Sequence, residues 1–337
     1  MNFKLLSTKI IMYSKSKDVI VMLRVGIMGC GQMASVMAEN LTDITDVTVV
    51  AVASRDKKRA NAFAKKYCPY AKTYGSYEAL ATADDVDLVY ISTPNTYHYE
   101  NAITCLKEYK NILVEKPFVM SKAEADSIFS EAKNRNLFVC EAMWTAFMPL
   151  HEKVIKWIRD GRIGAVRYMS SNLGYDIKDR PRLTDPMLGG GAYLDLGVYP
   201  THLAMSVMGD DIYPVSVRSR KYSTGIDEDT SYILERADGA QCVSYVTMDA
   251  RTDADAAVIG EKGYIKIKNI NNYEMIELFD KDGKLIDSDE RSGLSGYALE
   301  VKACAEAIRN GFIQCRQMPW SRTAALAGIN DKIISMM

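Results

Sequence analysis

The stretch GGGAYLDLGVYPTHLA, residues 189–204, sets Asp195, Tyr199 and His202 into a run otherwise made mostly of glycine and apolar residues. All three side chains exchange protons. On a helix they fall at i, i+4 and i+7, one polar stripe on an apolar element. Such a stripe belongs at a cleft, where a phenol, an imidazole and a carboxylate serve as acid, base or orienting group. Gly197 and Pro200 leave two geometries open: one continuous helix, or a second helix begun by Pro200 with Tyr199 just outside it. Lys116 is the other candidate. It follows the apolar run NILVE and precedes Pro117, at the carboxyl end of a strand, where open α/β sheets bind their ligands.

The elements that must position these residues follow from periodicity. From Leu23, the strand-like runs LRVGIM, VTVVAVA, VDLVYIS, NILVE and LFVCEA alternate with helical segments. Strict alternation predicts a Rossmann-type, doubly wound parallel sheet with right-handed crossovers over residues 22–142. After Trp144 one amphipathic helix leads into strand-like pieces separated by Asp238-Gly239 and Lys262-Gly263 turns, and then two helices. This predicts an α+β domain over residues 143–337 with a mainly antiparallel, open sheet, its last helix free to pack back on the first domain. Residues 1–21 are expected to be an extension outside the fold, with neither the apolar core nor the cleavage site of a signal peptide. His151 reads as a solvated residue of an exposed helix. KDGKLIDSDER, residues 281–291, reads as a hairpin tip and loop.

A dinucleotide signal stands at the start of this pattern. Gly29-Cys30-Gly31-Gln32-Met33-Ala34 is a G-x-G-x-x-A that follows a strand and opens a helix. Gly29 permits the tight turn, Gly31 lets the backbone approach a pyrophosphate, and Ala34 allows close helix packing. The backbone N–H groups at the start of the helix, around Gln32 and Met33, face the anion. At the end of the second strand, Ser54 and Arg55 stand where NAD sites usually carry a carboxylate, and an arginine pairs with a 2′-phosphate. NADP is therefore favoured. NAD stays open if Asp56 turns inward.

Composition narrows the partners. Lysine and arginine number 42 against 43 acidic residues, a net charge of −1 over 337 residues, so no nucleic-acid or membrane field is implied. A small molecule fits better. The seven cysteines are odd in number, widely spaced and without metal-ligand spacing, which predicts reduced thiols in a cytoplasmic protein and no metal site.

With the phosphate loop, the segments STPNTYHYE (residues 92–100), VEKPF (114–118) and GGGAYLDLGVYPTHLA resemble, in order and spacing, the Gfo/Idh/MocA family of glucose-fructose oxidoreductase and inositol dehydrogenase. EAMWTAF and DLGVYP are most similar to the family branch of dimeric dihydrodiol dehydrogenases and NADP-dependent D-xylose dehydrogenases. The resemblance implies hydride transfer between NADP and a secondary hydroxyl or carbonyl of a sugar, polyol or cyclic diol. It implies that Lys116 reaches the reacting hydroxyl, that Asp195 holds the lysine or a substrate hydroxyl, and that Tyr199 is the general acid and base. By the same resemblance Thr93, Pro94, Asn95, His98 and Glu115 belong with the cofactor, and Trp144 walls the pocket. Tyr175, at the start of a loop running to Leu188, is expected to shape the substrate pocket. His202 stays open as the alternative base. Ala146 stands where relatives carry arginine. A tyrosine with a pKa near 10 needs a nearby cation to act as a base, and Lys116 would supply it. The resemblance further implies a homodimer through the outer face of the second sheet. A dinucleotide-binding sensor without turnover and an NAD-dependent glycosidase on the same fold are the alternatives.

Overall fold

Residues 22–337 are described by the computed structural model; the expected extension, residues 1–21, lies outside them. The first sheet holds β1 (Leu23–Met28), β2 (Val47–Ala53), β3 (Lys72–Tyr74), β4 (Leu88–Ile91), β5 (Asn111–Glu115) and β6 (Val139–Ala142) in the order β3-β2-β1-β4-β5-β6, all parallel. Helices α1 (Gln32–Leu41), α2 (Lys57–Tyr67), α3 (Tyr77–Ala81), α4 (His98–Lys107) and α5 (Lys122–Arg135) connect these strands. Each of β4 and β6 is buried at every position, as strands covered on both faces must be. The chain reverses direction across the sheet between β1 and β4, which opens a crevice at their carboxyl ends.

After α6 (Pro149–Arg159) the chain enters the second sheet at β7 (Val166–Gly174). Its later strands are β8 (Ile212–Lys221), β9 (Asp227–Arg236), β10 (Gln241–Thr247), β11 (Ala256–Gly260), β12 (Gly263–Lys268), β13 (Met275–Asp280) and β14 (Leu285–Glu290). The sheet is antiparallel except for one central pair, β7 with β10, and a parallel pair requires a crossover. That crossover contains α7 (Pro181–Thr184) and α8 (Val198–Met208), the latter carrying Tyr199 and His202. The edge strand β14 corrects the reading of residues 281–291 as tip and loop; its side chains are mostly exposed and polar, so no apolar alternation marked it.

Helices α9 (Gly296–Arg309) and α10 (Trp320–Ser335) return to the first sheet. Val139 N–H donates to Ile313 O at 3.0 Å and the Trp320 indole N–H to Val139 O at 2.9 Å, so Ile313 and Trp320 cover the free edge of β6. Trp320 also stacks on Phe129 of α5, with centroids 5.1 Å apart. No helix among the described residues is long and apolar enough to cross a membrane.

Candidate active site

The site gathers at the carboxyl ends of β1, β4 and β5 and beneath the start of α8. Gly29 has φ +106°, and a Cβ there would sit 2.8 Å from Ser92 O, so the turn after β1 accepts only glycine. A Cβ on Gly31 would meet nothing within 4 Å, and no side chain caps α1. The helix thus begins with bare N–H donors, at Gln32 and Met33, facing open space. At the end of β2, buried Ser54 accepts from Asp56 N–H, and Asp56 caps its own helix through Lys58 N–H at 2.8 Å. Asp56 therefore does not turn inward. Exposed Arg55 lies over the Tyr97 ring, 5.6 Å from its centroid.

Lys116 directly follows β5, with its side chain 8% exposed. Its ammonium donates to Asp195 O at 2.6 Å and Asp195 Oδ1 at 3.1 Å, and lies 4.9 Å from the Tyr199 ring centroid. Two of three ammonium protons are used, leaving one for a substrate oxygen. Arg182 on α7 closes the other side of the carboxylate, Nη1 to Oδ1 at 3.1 Å and Nη2 to Oδ2 at 3.3 Å. Burial opposes the charge on Asp195, but Lys116 and Arg182 together outweigh it and hold the carboxyl well below its usual range. Asp195 is thus ion-paired with both cations. Arg182 escaped the sequence reading because nothing in PRLT marks it; only its loop, running from Tyr175 to Leu188, had been singled out.

Tyr199 lies in this cleft, but its expected activation is corrected. Lys116 faces the ring and not the hydroxyl, and burial, with the charge of Glu115 adding to it, drives the phenol well above its usual pKa. Trp144 Nε1–H donates to the Tyr199 hydroxyl at 3.0 Å, leaving the phenolic proton free to be donated. Trp144 stacks on Tyr297 with centroids 4.4 Å apart, forming an aromatic wall of which sequence reasoning found only the first half. Half-buried Tyr175 stands on the loop side, its hydroxyl donating to Asn271 at 2.8 Å.

The stripe Asp195, Tyr199, His202 does not survive as one face. Tyr193–Gly197 is a π-helical turn running directly into α8, so Pro200 stands inside a continuous helical segment. Gly197 is required there, since a Cβ would lie 2.3 Å from the Tyr193 ring. The wider turn shifts the phase by one residue, and His202 points to the core. It is 2% exposed and stacks on His151, 5.4 Å away, whose Nδ1 lies 2.9 Å from the Tyr273 hydroxyl. Both expectations fail here: His202 is neither base nor pocket residue, and His151 is not solvated.

His98 is fully buried, with Nδ1 2.9 Å from Pro117 O and Nε2 2.9 Å from Thr93 O, so each ring nitrogen faces a backbone carbonyl. It bridges the turn after β4 and the turn after β5. Glu115 acts similarly from within, taking the Tyr90 hydroxyl on one oxygen and Lys116 N–H at 3.2 Å on the other. Buried Thr93 accepts from Asn101, and Asn95, after Pro94, donates to Gly189 O at 2.9 Å, joining the cofactor side to the glycine run.

With this geometry in hand, comparison with known proteins is informative. Residues 23–142 match the family model described as "Oxidoreductase family, NAD-binding Rossmann fold", and residues 151–266 match the GFO/IDH/MocA C-terminal domain. A trans-1,2-dihydrobenzene-1,2-diol dehydrogenase of Xenopus tropicalis is 30% identical over 93% of this chain and 97% of its own. The chain belongs to the GFO/IDH/MocA oxidoreductase family. A D-xylose 1-dehydrogenase (NADP(+)) of Hypocrea jecorina is also 30% identical, covering 90% of this chain and 89% of its own. Among solved structures, a 3-ketoreductase from Actinomadura kijaniata superposes with TM-score 0.84 at 23% identity over 93% of this chain and 97% of its own, a likeness of fold. In this oxidoreductase the bare α1 N-terminus, the open space at Gly31 and the unopposed Arg55 fit a dinucleotide with a 2′-phosphate.

The family assignment leaves the cysteines unexplained. Widely spaced in sequence, Cys140, Cys304 and Cys315 are brought together by the fold, a proximity that sequence spacing does not reveal.

Proposed function

We propose that this oxidoreductase is an NADP-preferring dehydrogenase or reductase acting on a secondary hydroxyl or carbonyl of a sugar, polyol or cyclic diol. The observation that carries the reading is the buried ammonium of Lys116, anchored twice by Asp195 and laid against Tyr199, whose hydroxyl is oriented by Trp144. The named activities of the diol and D-xylose dehydrogenase relatives support the substrate class.

A nicotinamide dinucleotide, when bound, supplies or accepts the hydride. Gln32 and Met33 offer backbone N–H groups to its phosphates, and Arg55 pairs with the 2′-phosphate. Lys116 holds the reacting oxygen with its remaining N–H and stabilises the negative charge that grows there. Tyr199, its phenol kept protonated by burial, donates its proton to that oxygen in reduction; in oxidation the same atoms act in reverse. Asp195 aims the lysine, and Arg182 holds Asp195 in place. Trp144, Tyr297 and Tyr175 give the sugar or diol ring apolar faces to lie against. Exposed Tyr168, Tyr213 and Tyr245 share the outer face of the second sheet and form the surface of a homodimer. The seven thiols, none in a disulfide, fit a cytoplasmic setting.

The test is NADPH formation by the purified protein on a panel of sugars, inositols and cyclic diols, and NADPH consumption on the matching ketones, with NAD in parallel. Turnover with NADP, with the KM for NADP raised roughly 10–100-fold in Arg55→Ala and that for NAD unmoved, is expected from the loss of one charge-assisted pair. Turnover with NAD alone would overturn the cofactor preference. Absence of turnover in both directions would overturn the activity.

A further inference from the structure

Cys140 on β6, Cys304 on α9 and Cys315 on the segment between α9 and α10 take no part in the chemistry above. Their sulfurs lie within 4.8 Å of one another, all three are buried, and none is in a disulfide. Glu300 lies one helical turn before Cys304 and so shares its face of α9. It is 0% exposed, and neither carboxylate oxygen has a hydrogen-bond partner. A buried carboxylate left unbonded is an exception that asks for a ligand.

We propose that Cys140, Cys304 and Cys315 form a buried site for one thiophilic cation of the zinc class, with the unbonded Glu300 carboxylate one turn away on α9 but outside the cluster. Thiolate ligands select zinc and cuprous ions over magnesium or calcium. A tetrahedral zinc centre has Zn–S bonds of about 2.3 Å, which places its sulfurs about 3.8 Å apart. Side chains already within 4.8 Å reach that spacing through small rotations. The cation gains access at Cys315, whose segment also carries exposed Phe312 and Arg316. Once bound it joins three pieces of chain: the last strand of the first sheet, the helix whose Tyr297 backs Trp144, and the segment that covers the edge of β6. Binding only the folded state, it raises stability.

The experiment titrates Cd2+, and separately Zn2+ against a chromophoric chelator, into the reduced full-length protein. One ion per chain, a thiolate-to-cadmium charge-transfer band and a raised Tm are expected. Cys315→Ser should weaken binding by more than the roughly 10–100-fold that loss of an outer-shell partner brings, while Cys68→Ser leaves it unchanged. Because a buried substitution can harm folding, alkylation of the unmodified protein in mild denaturant, mapped by mass spectrometry, gives a second reading. Zn2+ should protect Cys140, Cys304 and Cys315 more strongly than the general stabilisation protects Cys68, Cys105 and Cys242. No band, a band retained in Cys315→Ser, or equal protection of all the buried cysteines would each overturn the site.

Discussion

Two buried polar clusters meet at α8, and they solve the burial of titratable groups in opposite ways. On the cleft side Lys116, Asp195 and Arg182 form an ion-paired cluster, with contacts of 2.6 to 3.3 Å that offset the loss of water and hold the Asp195 carboxyl well below its usual range. On the core side, three residues from Tyr199, His202 stacks on His151 and both stay neutral, with burial the chief cause of their lowered pKa values. The first arrangement keeps protons and charge near a ligand; the second fills space and satisfies a tyrosine. Residue type alone does not separate a catalytic group from a packed one on the same helix. Whether an opposite charge arrives from another element does.

The comparison predicts unequal responses. In the proposed mechanism Lys116→Ala removes the cation that holds the reacting oxygen and leaves Asp195 with Arg182 alone; kcat should fall about 10²–10⁴-fold. If it fell less than tenfold in steady-state assays, the charged cluster would not be the catalytic one. Tyr199→Phe keeps the ring under the ammonium but deletes the donated proton, and a loss of about 10²-fold in kcat with KM little changed is expected. Arg182→Gln leaves Asp195 with one cation, so kcat should drop roughly tenfold and the acidic limb of the pH–rate profile should move to higher pH as that carboxylate becomes easier to protonate. An unmoved limb would show that Lys116 alone sets Asp195.

The smallest effect on turnover belongs to the core cluster. A His151→Phe, His202→Leu pair should change kcat by less than about twofold while altering the pH dependence of stability. Burial lowers His151 from 6.5 to about 4. Unfolded chains protonate it below pH 6.5 and the folded protein does not, so its contribution is complete above pH 6.5 and is lost as pH falls towards 4. The loss approaches about 3 kcal/mol. Urea denaturation at pH 7 and pH 4.5 should diverge more in the unmodified protein than in the variant; an equal difference in both would contradict a neutral buried pair.

Much of the cofactor cradle was legible in the sequence because it is made by local backbone geometry. Gly29 needs its φ of +106° in any context, and Gly31 and Arg55 are fixed by their places at strand ends. The parallel sheet was equally legible from alternation. The catalytic cluster was less so, since Arg182 reaches Asp195 only through the π-helical turn that rotates Asp195 and Tyr199 away from His202. No pattern of periods 2 or 3.6 announces a turn of that kind. His98 shows a related limit: a motif fixes that a residue is needed, and only the fold reveals that each ring nitrogen faces a backbone carbonyl.

The sealing of β6 by Ile313 and Trp320 bears on how this protein is divided. The stretch that matches the nucleotide-binding family model ends at residue 142, yet the hydrogen-bonding groups of Val139 find their partners some 170 residues later. A fragment cut at that boundary would carry an uncovered hydrophobic strand edge, a template for association between copies. The six strands of the first sheet are all made early in synthesis, but the outer edge of β6 is covered only once Ile313 and Trp320 have emerged, which ties the two halves of the chain together.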